Sequence, residues 1–168
     1  MKKYHTTILI VDDNLQDLVL IERSFRAIGV TDPIHTVSSG DEAIAYMMGK
    51  GKFSDRVKYT YPTFITTDLK MPGKDGFAVL EFLKKNPEWA IIPTVVLTSS
   101  RDPDDIKNAY MLGASSYHVK PNSLDGLRQQ LKVLNDYWLT CELPAVDSTG
   151  HRLDTDGKGK LGERFSHP

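Results

Sequence analysis

Short apolar segments alternate with longer segments of helical periodicity along most of the chain. The apolar runs occupy residues 8–11, 34–37, 63–67, 94–97 and 116–119. Near-continuous apolar strands are typical of parallel sheets that helices cover on both faces, and a repeated alternation of strands and helices indicates the α/β class. The pattern therefore predicts a doubly wound sheet of five parallel strands.

The helical segments begin and end at residues that commonly cap helices. The first helix is predicted over residues 15–27, and it ends before Gly29, which suits a C-terminal cap. The next three are predicted to begin at the dipeptides Ser39-Gly40, Asp75-Gly76 and Asp102-Pro103. The last carries an apolar stripe formed by Leu124, Leu127, Leu131, Leu134 and Trp138. Residues 49–61 show no clear period, and we expect them to form a tolerated surface insertion.

Length and composition favour a single soluble domain. We expect this domain over residues 1–144 of the 168-residue chain, followed by a polar, disordered tail at 145–168. The formal net charge of −1 gives no general reason to bind nucleic acid or anionic lipid. No apolar stretch approaches the roughly 20 residues needed to cross a bilayer, and the single cysteine, Cys141, suits a reducing compartment. A cytoplasmic protein is therefore expected, without membrane or nucleic-acid partners.

Carboxylates follow two of the predicted strands. Asp12 and Asp13 come directly after the first strand, and Asp68 comes directly after the third. Because a parallel α/β sheet gathers its functional groups at the carboxyl ends of its strands, we expect these acids to converge. Converging carboxylates repel one another unless they are protonated or share a cation. A hard ion such as Mg²⁺, which prefers oxygen ligands, would resolve that repulsion.

Two further polar side chains are predicted at the same edge, with Thr98 after the fourth strand and Lys120 after the fifth. An aspartate beside a divalent ion can attack a phosphoryl group, which makes Asp68 the candidate nucleophile. The Thr98 hydroxyl and the Lys120 ammonium would then bind the phosphoryl oxygens. Taken singly, each is an ordinary strand residue, surface charge or turn acid. Their coincidence is what favours a functional site.

Four motifs occur in order along the chain: Ile8-Leu9-Ile10-Val11-Asp12-Asp13-Asn14, Asp68-Leu69-Lys70-Met71-Pro72-Gly73-Lys74-Asp75-Gly76, Leu97-Thr98-Ser99-Ser100 and Tyr117-His118-Val119-Lys120-Pro121. Together they resemble the response-regulator receiver domains of two-component signalling systems, over about residues 6–139. The resemblance implies a flavodoxin-like (βα)5 fold and phosphorylation of Asp68 by a sensor histidine kinase. It implies a signalling switch rather than an enzyme, which assists only its own phosphorylation and dephosphorylation.

The resemblance also implies roles for individual residues. Mg²⁺ would be bound by Asp13, by Asp68, by the backbone carbonyl of Lys70 and, largely through water, by Asp12. The other roles are Thr98 and Tyr117 as the switch pair, Lys70 and Ser100 as residues that tune dephosphorylation, and Pro121 as the second residue of a cis peptide bond. When Thr98 binds the phosphoryl group, the Tyr117 ring would move inward. That movement would change the face formed by the fourth helix, fifth strand and fifth helix.

A narrower resemblance comes from the C-terminal part of the chain. The run Asp136-Tyr137-Trp138-Leu139, the following Glu142-Leu143-Pro144 and the long loop before the third strand are similar to stand-alone regulators paired with bacterial phytochromes. That resemblance implies a phytochrome-type kinase upstream and an unknown protein downstream. It also implies a homodimer formed through the fourth helix, fifth strand, fifth helix and C-terminal extension.

Other protein classes fit the sequence less well. A flavin-binding protein on the same sheet would need a phosphate cradle after the first strand, where Asp12 and Asp13 would repel a phosphate. An aspartyl phosphohydrolase would need an acid-base carboxylate near Asp68, where Lys70 stands instead. The tail is too short and polar for a helix-turn-helix DNA-binding unit. A phosphorelay intermediate, which passes the phosphoryl group to a histidine phosphotransfer protein, remains an open alternative to a terminal regulator.

Overall fold

Five parallel strands form one sheet in the computed structural model, which describes residues 6–143. The strands are β1 (Ile8–Val11), β2 (Ile34–Val37), β3 (Phe64–Thr67), β4 (Thr94–Thr98) and β5 (Ser116–Val119). Their order across the sheet is β2-β1-β3-β4-β5, and every neighbouring pair is parallel. The predicted doubly wound α/β fold is confirmed, with strand boundaries within one residue of those predicted.

Within the described residues, five α-helices connect and follow the strands. They are α1 (Leu15–Ala27), α2 (Gly40–Met47), α3 (Gly76–Lys85), α4 (Pro103–Met111) and α5 (Leu124–Thr140). The predicted helix starts form as expected, since Ser39, Asp75 and Asp102 cap α2, α3 and α4. Asn14, which was not predicted, caps α1 by accepting hydrogen bonds from two amides of its first turn, and the predicted Gly29 after that helix has a φ of 94°. That left-handed backbone conformation strongly favours glycine.

The helices cover both faces of the sheet, which is why the strands are apolar throughout. Ile8 and Ile10 of β1 face α1 and α5, whereas Leu9 and Val11 of the same strand face α2 and α3. Alternate side chains of a strand point to opposite faces. Each face therefore has its own core, and α4 packs with α3 over Val96 in a third cluster.

The apolar stripe of α5 is buried over most of its length. Leu127, Leu131 and Leu134 are buried, and the partly buried Trp138 packs against the same core. Leu124, which the periodicity places on this stripe, is 42 % exposed. It is the first residue of the helix and lies at the end of the stripe.

The expectation of a simple surface insertion at residues 49–61 is wrong. The segment contains a 3-10 helix at Gly51–Phe53, and the Phe53 ring is buried between the rings of Tyr46 and Tyr59. The Arg56 guanidinium lies 4.0 Å from the centre of the Tyr61 ring and donates a hydrogen bond to the Tyr46 carbonyl. Aromatic and cation contacts with residues outside the segment hold this loop against α2. The loop is therefore part of the core rather than an appendage.

The tail predicted at residues 145–168 lies outside the described residues. So does Pro144, the last residue of the predicted domain. Among the residues that the structure describes, every helix is either too short or too polar to span a lipid bilayer.

Candidate functional site

Three carboxylates converge at the carboxyl edge of the sheet, as the sequence predicts. One oxygen from each of Asp12, Asp13 and Asp68 lies within 4.8 Å of the others. The sheet produces this convergence because β1 and β3 are adjacent, and the Asp68 amide donates to the Val11 carbonyl at 2.9 Å. Asp12 is 1 % exposed, whereas Asp13 is exposed to solvent. The cluster therefore reaches from the interior to the surface.

The ammonium of Lys120 lies among these carboxylates. Its Nζ atom is 2.6 Å from Asp12 Oδ2, 3.2 Å from Asp68 Oδ2 and 2.8 Å from Asp17 Oδ2. The Lys120 amide donates to the Thr98 carbonyl at 2.8 Å, which holds the segment that follows β5 against the end of β4. Lys120, which is predicted to bind the phosphoryl group, thus directly contacts Asp68, the residue that is predicted to accept that group.

Burial and charge act in opposite directions at this cluster. Burial raises the pKa of Asp12 above its ordinary value, although hydrogen bonds from Lys120 and the Asn14 amide act to lower it. For Lys120, burial lowers the pKa, but hydrogen bonds to Asp12 and Asp17, together with the charges of Asp68 and Asp12, outweigh burial and leave the pKa above its ordinary value. The lysine is therefore firmly cationic, and it only partly relieves the cost of keeping Asp12 ionised.

The residues present fit a divalent metal ion. Among residues 6–143, the acidic cluster and the acids that contact Lys120 comprise four carboxylates, those of Asp12, Asp13, Asp17 and Asp68, and one ammonium, so the formal charge of the group is −3. All the candidate ligand atoms are oxygens, which hard divalent cations prefer. A cation bound by Asp12, Asp13 and Asp68 would supply positive charge that Lys120 alone does not.

The predicted switch residues lie on the neighbouring strands. Thr98 ends β4 and is 1 % exposed, and its Oγ1 atom accepts a hydrogen bond from the Ser100 amide at 3.4 Å. The partly buried ring of Tyr117, in β5, packs against the cluster formed by α3 and α4. Its hydroxyl donates to the Ser100 carbonyl at 3.0 Å. Ser100 therefore bonds to both predicted switch residues.

The predicted tuning residues, Lys70 and Ser100, meet at one carboxylate. Lys70 Nζ lies 2.9 Å from Asp105 Oδ1, and Ser100 Oγ donates to Asp105 Oδ2 at 2.6 Å. Asp105 belongs to the first turn of α4 and is 8 % exposed. Lys70 and Ser100 each lie two residues after a strand-end residue, Asp68 or Thr98. Both therefore bind the same residue of α4.

A close backbone approach supports the loop that begins with Asp68. A Cβ atom built on Gly76 would lie 2.0 Å from the Asp68 carbonyl oxygen. The Gly76 amide also donates to the Leu69 carbonyl at 2.9 Å. Only glycine allows α3 to begin this close to the site.

The predicted cis peptide bond before Pro121 is not present. Among residues 6–143 there is no cis peptide bond, so Lys120 and Pro121 are joined in the trans form. Trans is the ordinary preference of such bonds, by about 0.5–1 kcal/mol. The structure places the Lys120 ammonium on the carboxylates with a trans bond, so the cis prediction is wrong here.

Sequence reasoning missed two residues of this region, Asp17 and Asp105. Both are acids in the first turn of a helix, α1 and α4 respectively. Acids at that position ordinarily stabilise the helix through its dipole, which gives them a local explanation. Asp17 lies three residues after Asn14, near the acidic pair, and that spacing was the available signal.

Comparison with known proteins was consistent with this geometry. The family profile described as the response regulator receiver domain matches residues 8–132. The chain is 34% identical over 135 residues to the probable methanogenesis regulatory protein FilR2 of Methanothrix harundinacea, covering 79% of this chain and 83% of that protein. It is 32% identical over 140 residues to the response regulator Rcp1 of Synechocystis, covering 83% of this chain and 93% of Rcp1.

Solved structures show the same likeness. The phosphorylated cyanobacterial phytochrome response regulator RcpA superposes with a TM-score of 0.77 at 35% identity, covering 84% of this chain and 99% of RcpA. The Mn²⁺-bound form of Rcp1 superposes with a TM-score of 0.75 at 31% identity, covering 83% of this chain and 99% of Rcp1.

Proposed function

The chain belongs to the response regulator receiver family, and from that premise we propose that a sensor histidine kinase phosphorylates it on Asp68 in the presence of Mg²⁺. One observation carries the proposal. The Asp68 carboxylate shares a 4.8 Å cluster with Asp12 and Asp13, and it contacts the Lys120 ammonium at 3.2 Å. A nucleophile, ligands for a cation and a fixed positive charge are the groups that transfer to an aspartate requires.

The side chains of this chain act on the reaction in distinct ways. Asp68 Oδ1 accepts a hydrogen bond from the Leu69 amide at 2.7 Å, and Oδ2 faces Lys120, so the carboxylate is held in one orientation. A carboxylate oxygen forms the new bond to phosphorus while the bond from phosphorus to the donor nitrogen breaks. Lys120 offsets charge on the phosphoryl oxygens. No general base is needed, because a carboxylate at neutral pH carries no proton to remove.

Mg²⁺ would be held by Asp13, by Asp68, by the backbone carbonyl of Lys70 and, through water, by Asp12. When bound, it would neutralise the repulsion between the acceptor carboxylate and the incoming phosphoryl group. The −3 formal charge of the carboxylate and lysine group supports this assignment. The Mn²⁺-bound form of Rcp1 shows that this relative takes a divalent cation.

The switch that follows phosphorylation would use Thr98 and Tyr117. We propose that the Thr98 hydroxyl, now bonded to the Ser100 amide, turns to the phosphoryl oxygen. The Tyr117 hydroxyl is bonded to the carbonyl of the same Ser100, so a shift of this segment reaches the ring. Ring and loop together would change the face formed by α4, β5 and α5.

We propose a homodimer formed through α4, β5, α5 and the C-terminal extension. Its support is that both helices carry exposed apolar side chains: Tyr110 and Met111 on α4, Val133 and Tyr137 on α5. A partner surface that covers such side chains removes apolar area from water. Sedimentation with and without phosphorylation would test this, and a protein that stays monomeric at high concentration in both states would exclude the dimer.

A phytochrome-type kinase is the proposed upstream partner. Support comes from RcpA, a cyanobacterial phytochrome response regulator that is 35% identical to this chain. We propose a cytoplasmic signalling switch that acts through protein contacts rather than nucleic acid.

The direct test of the function is phosphorylation by a small donor. The wild type and Asp68→Asn are incubated with acetyl phosphate and MgCl2, and intact mass is measured. We expect one phosphoryl group on the wild type and on a control, Asp104→Asn, which changes an acid in the first turn of α4. Asp68→Asn and wild type in EDTA should remain unlabelled. Equal labelling of the wild type and Asp68→Asn would remove Asp68 from this role.

A further inference from the structure

Asp105 is a buried acid that the proposed reaction does not use. Its Oδ1 atom lies 2.9 Å from Lys70 Nζ, and its Oδ2 atom accepts the Ser100 hydroxyl at 2.6 Å. A charged group is rarely buried unless it is paired and hydrogen-bonded, and both oxygens of Asp105 have partners. The two partners approach from different elements, Lys70 from the loop after β3 and Ser100 from the loop after β4. Asp105 therefore joins two loops that border the proposed acceptor.

The pairing sets the direction of the Lys70 side chain. Lys70 is two residues after Asp68, and its side chain is 62% exposed, so its length alone would let it sample many positions. Its ammonium lies against Asp105 and 5.6 Å from the centre of the Phe77 ring, between α3 and α4. Hydrogen bonds from Ser100 and Lys70 lower the pKa of Asp105, so the carboxylate is charged and holds the ammonium at neutral pH. Lys70 is thus drawn toward α4.

We propose that Asp105 is a positioning residue that keeps the Lys70 ammonium away from phosphorylated Asp68 and thereby sets the lifetime of the acyl phosphate. This inference rests on the proposed function. In the hydrolysis, a water oxygen forms a bond to phosphorus while the bond from phosphorus to the Asp68 carboxyl oxygen breaks. The Asp68 carboxylate is regenerated, and inorganic phosphate and a proton are released. Asp105 touches none of these atoms and acts through Lys70.

Release of Lys70 has a predictable direction. Without the Asp105 charge, the ammonium still feels the weaker attraction of Asp102 and Asp75. We expect the phosphoryl group on Asp68, two residues away in the sequence, to attract it more strongly than either, because that group carries more negative charge than a carboxylate. An ammonium bound to the phosphoryl oxygens stabilises the acyl phosphate and covers it from water. Loss of the Asp105 charge therefore slows hydrolysis, and removal of the Lys70 charge cancels that effect.

The experiment measures the decay of the acyl phosphate after the donor is removed, in Mg²⁺, for wild type, Asp105→Asn, Lys70→Met and the double variant. Asp105→Asn should lengthen the half-life about fivefold. This is the change in rate that corresponds to the strongest interaction energies of exposed ion pairs. Lys70→Met sets the reference half-life of a protein without this ammonium, and the double variant should decay like Lys70→Met. A structural defect caused by Asp105→Asn would persist in the double variant, so the cancellation separates positioning from folding.

Asp104→Asn is the matched control, because it removes the same charge from the same helical turn and should leave the half-life unchanged. The inference is overturned if Asp105→Asn decays like the wild type, if Asp104→Asn has the same effect, or if the effect persists without Lys70. If Asp105→Asn does not fold, Asp105→Ser removes the same charge with a smaller side chain that keeps a hydroxyl for hydrogen bonding, and it should lengthen the half-life in the same direction. An unchanged half-life in Asp105→Ser would then overturn it. A wild type that acetyl phosphate never labels would instead refute the proposed function.

Discussion

Replacement of Lys120 by methionine tests the electrostatics of the site most directly. Methionine keeps much of the side-chain volume and removes the charge. In the wild type, the ammonium touches three carboxylates, and the side chains of Lys120, Asp12 and Asp68 are 13%, 1% and 12% exposed. The substitution therefore leaves Asp12 and Asp68 close together in a poorly solvated place.

The magnitude follows from the distances. Two carboxylate oxygens within 4.8 Å of each other repel by about 3 kcal/mol at an effective dielectric constant near 20. Loss of one partner from a buried ion pair costs about 3–5 kcal/mol. We expect Lys120→Met to lower the free energy of unfolding by about 3 kcal/mol in EDTA, at the lower end of that range. The partly exposed Asp17 can turn to solvent, which limits the loss.

Urea denaturation, followed by circular dichroism in EDTA and in excess MgCl2, measures the effect. A bound divalent cation restores positive charge to the cluster, so Mg²⁺ should stabilise Lys120→Met more than it stabilises the wild type. The control is Lys132→Met, which breaks an exposed pair with Asp136 on α5. Loss of that pair should lower the free energy of unfolding by less than about 1 kcal/mol. Mg²⁺ should stabilise Lys132→Met by the same amount as it stabilises the wild type.

Two results would refute the reasoning about Lys120. One is a Lys120→Met protein that is as stable as Lys132→Met in EDTA, which would mean that the ammonium does not offset the repulsion between the carboxylates. The other is equal stabilisation of variant and wild type by Mg²⁺, which would mean that the cation does not bind beside the lost charge.

Three further predictions concern stability. Gly76→Ala should lower the free energy of unfolding by about 3 kcal/mol in urea denaturation, because its Cβ atom would lie 2.0 Å from the Asp68 carbonyl oxygen. Phe53→Ala should cost about 3 kcal/mol in the same assay, because that ring is buried, whereas Val57→Ala, 92% exposed in the same loop, should cost less than about 0.5 kcal/mol. Burial lowers the pKa of His118 below 6.5. The unfolded state therefore takes up this proton first, and stability present above pH 6.5 is lost as the pH falls below it. Between pH 7.5 and 5, His118→Gln should lose less stability than the wild type.

Each of these predictions has an outcome that contradicts it. A Gly76→Ala protein of wild-type stability would mean that the start of α3 can move away from Asp68 at little cost. Equal losses for Phe53→Ala and Val57→Ala would restore the view of residues 49–61 as a surface insertion. A pH dependence that His118→Gln leaves unchanged would assign the acid sensitivity to other groups.

The sequence alone determined much of the fold because its signals are local. Apolar runs, caps such as Ser39 and glycines such as Gly29 act on their near neighbours, so the helices and strands could be bounded within a few residues. The acids Asp12, Asp13 and Asp68 were predictable as a group for one further reason. Parallel strands always present their carboxyl ends at one edge.

Tertiary structure alone decided which more distant side chains join that group. Lys120 meets Asp17 across 103 residues of sequence, and Lys70 meets Asp105 across 35. Both acids have a sufficient local explanation as first-turn helix residues, and only Asp17, by its closeness to the acidic pair, carried a further signal in the sequence. The packing of Phe53 was missed for a different reason: its partners Tyr46 and Tyr59 are near in the sequence, but the stretch has no period that would indicate a buried side chain. The contacts of Lys120 and Lys70 depend instead on which elements the sheet order brings together, and short-range periodicity carries no information about that order.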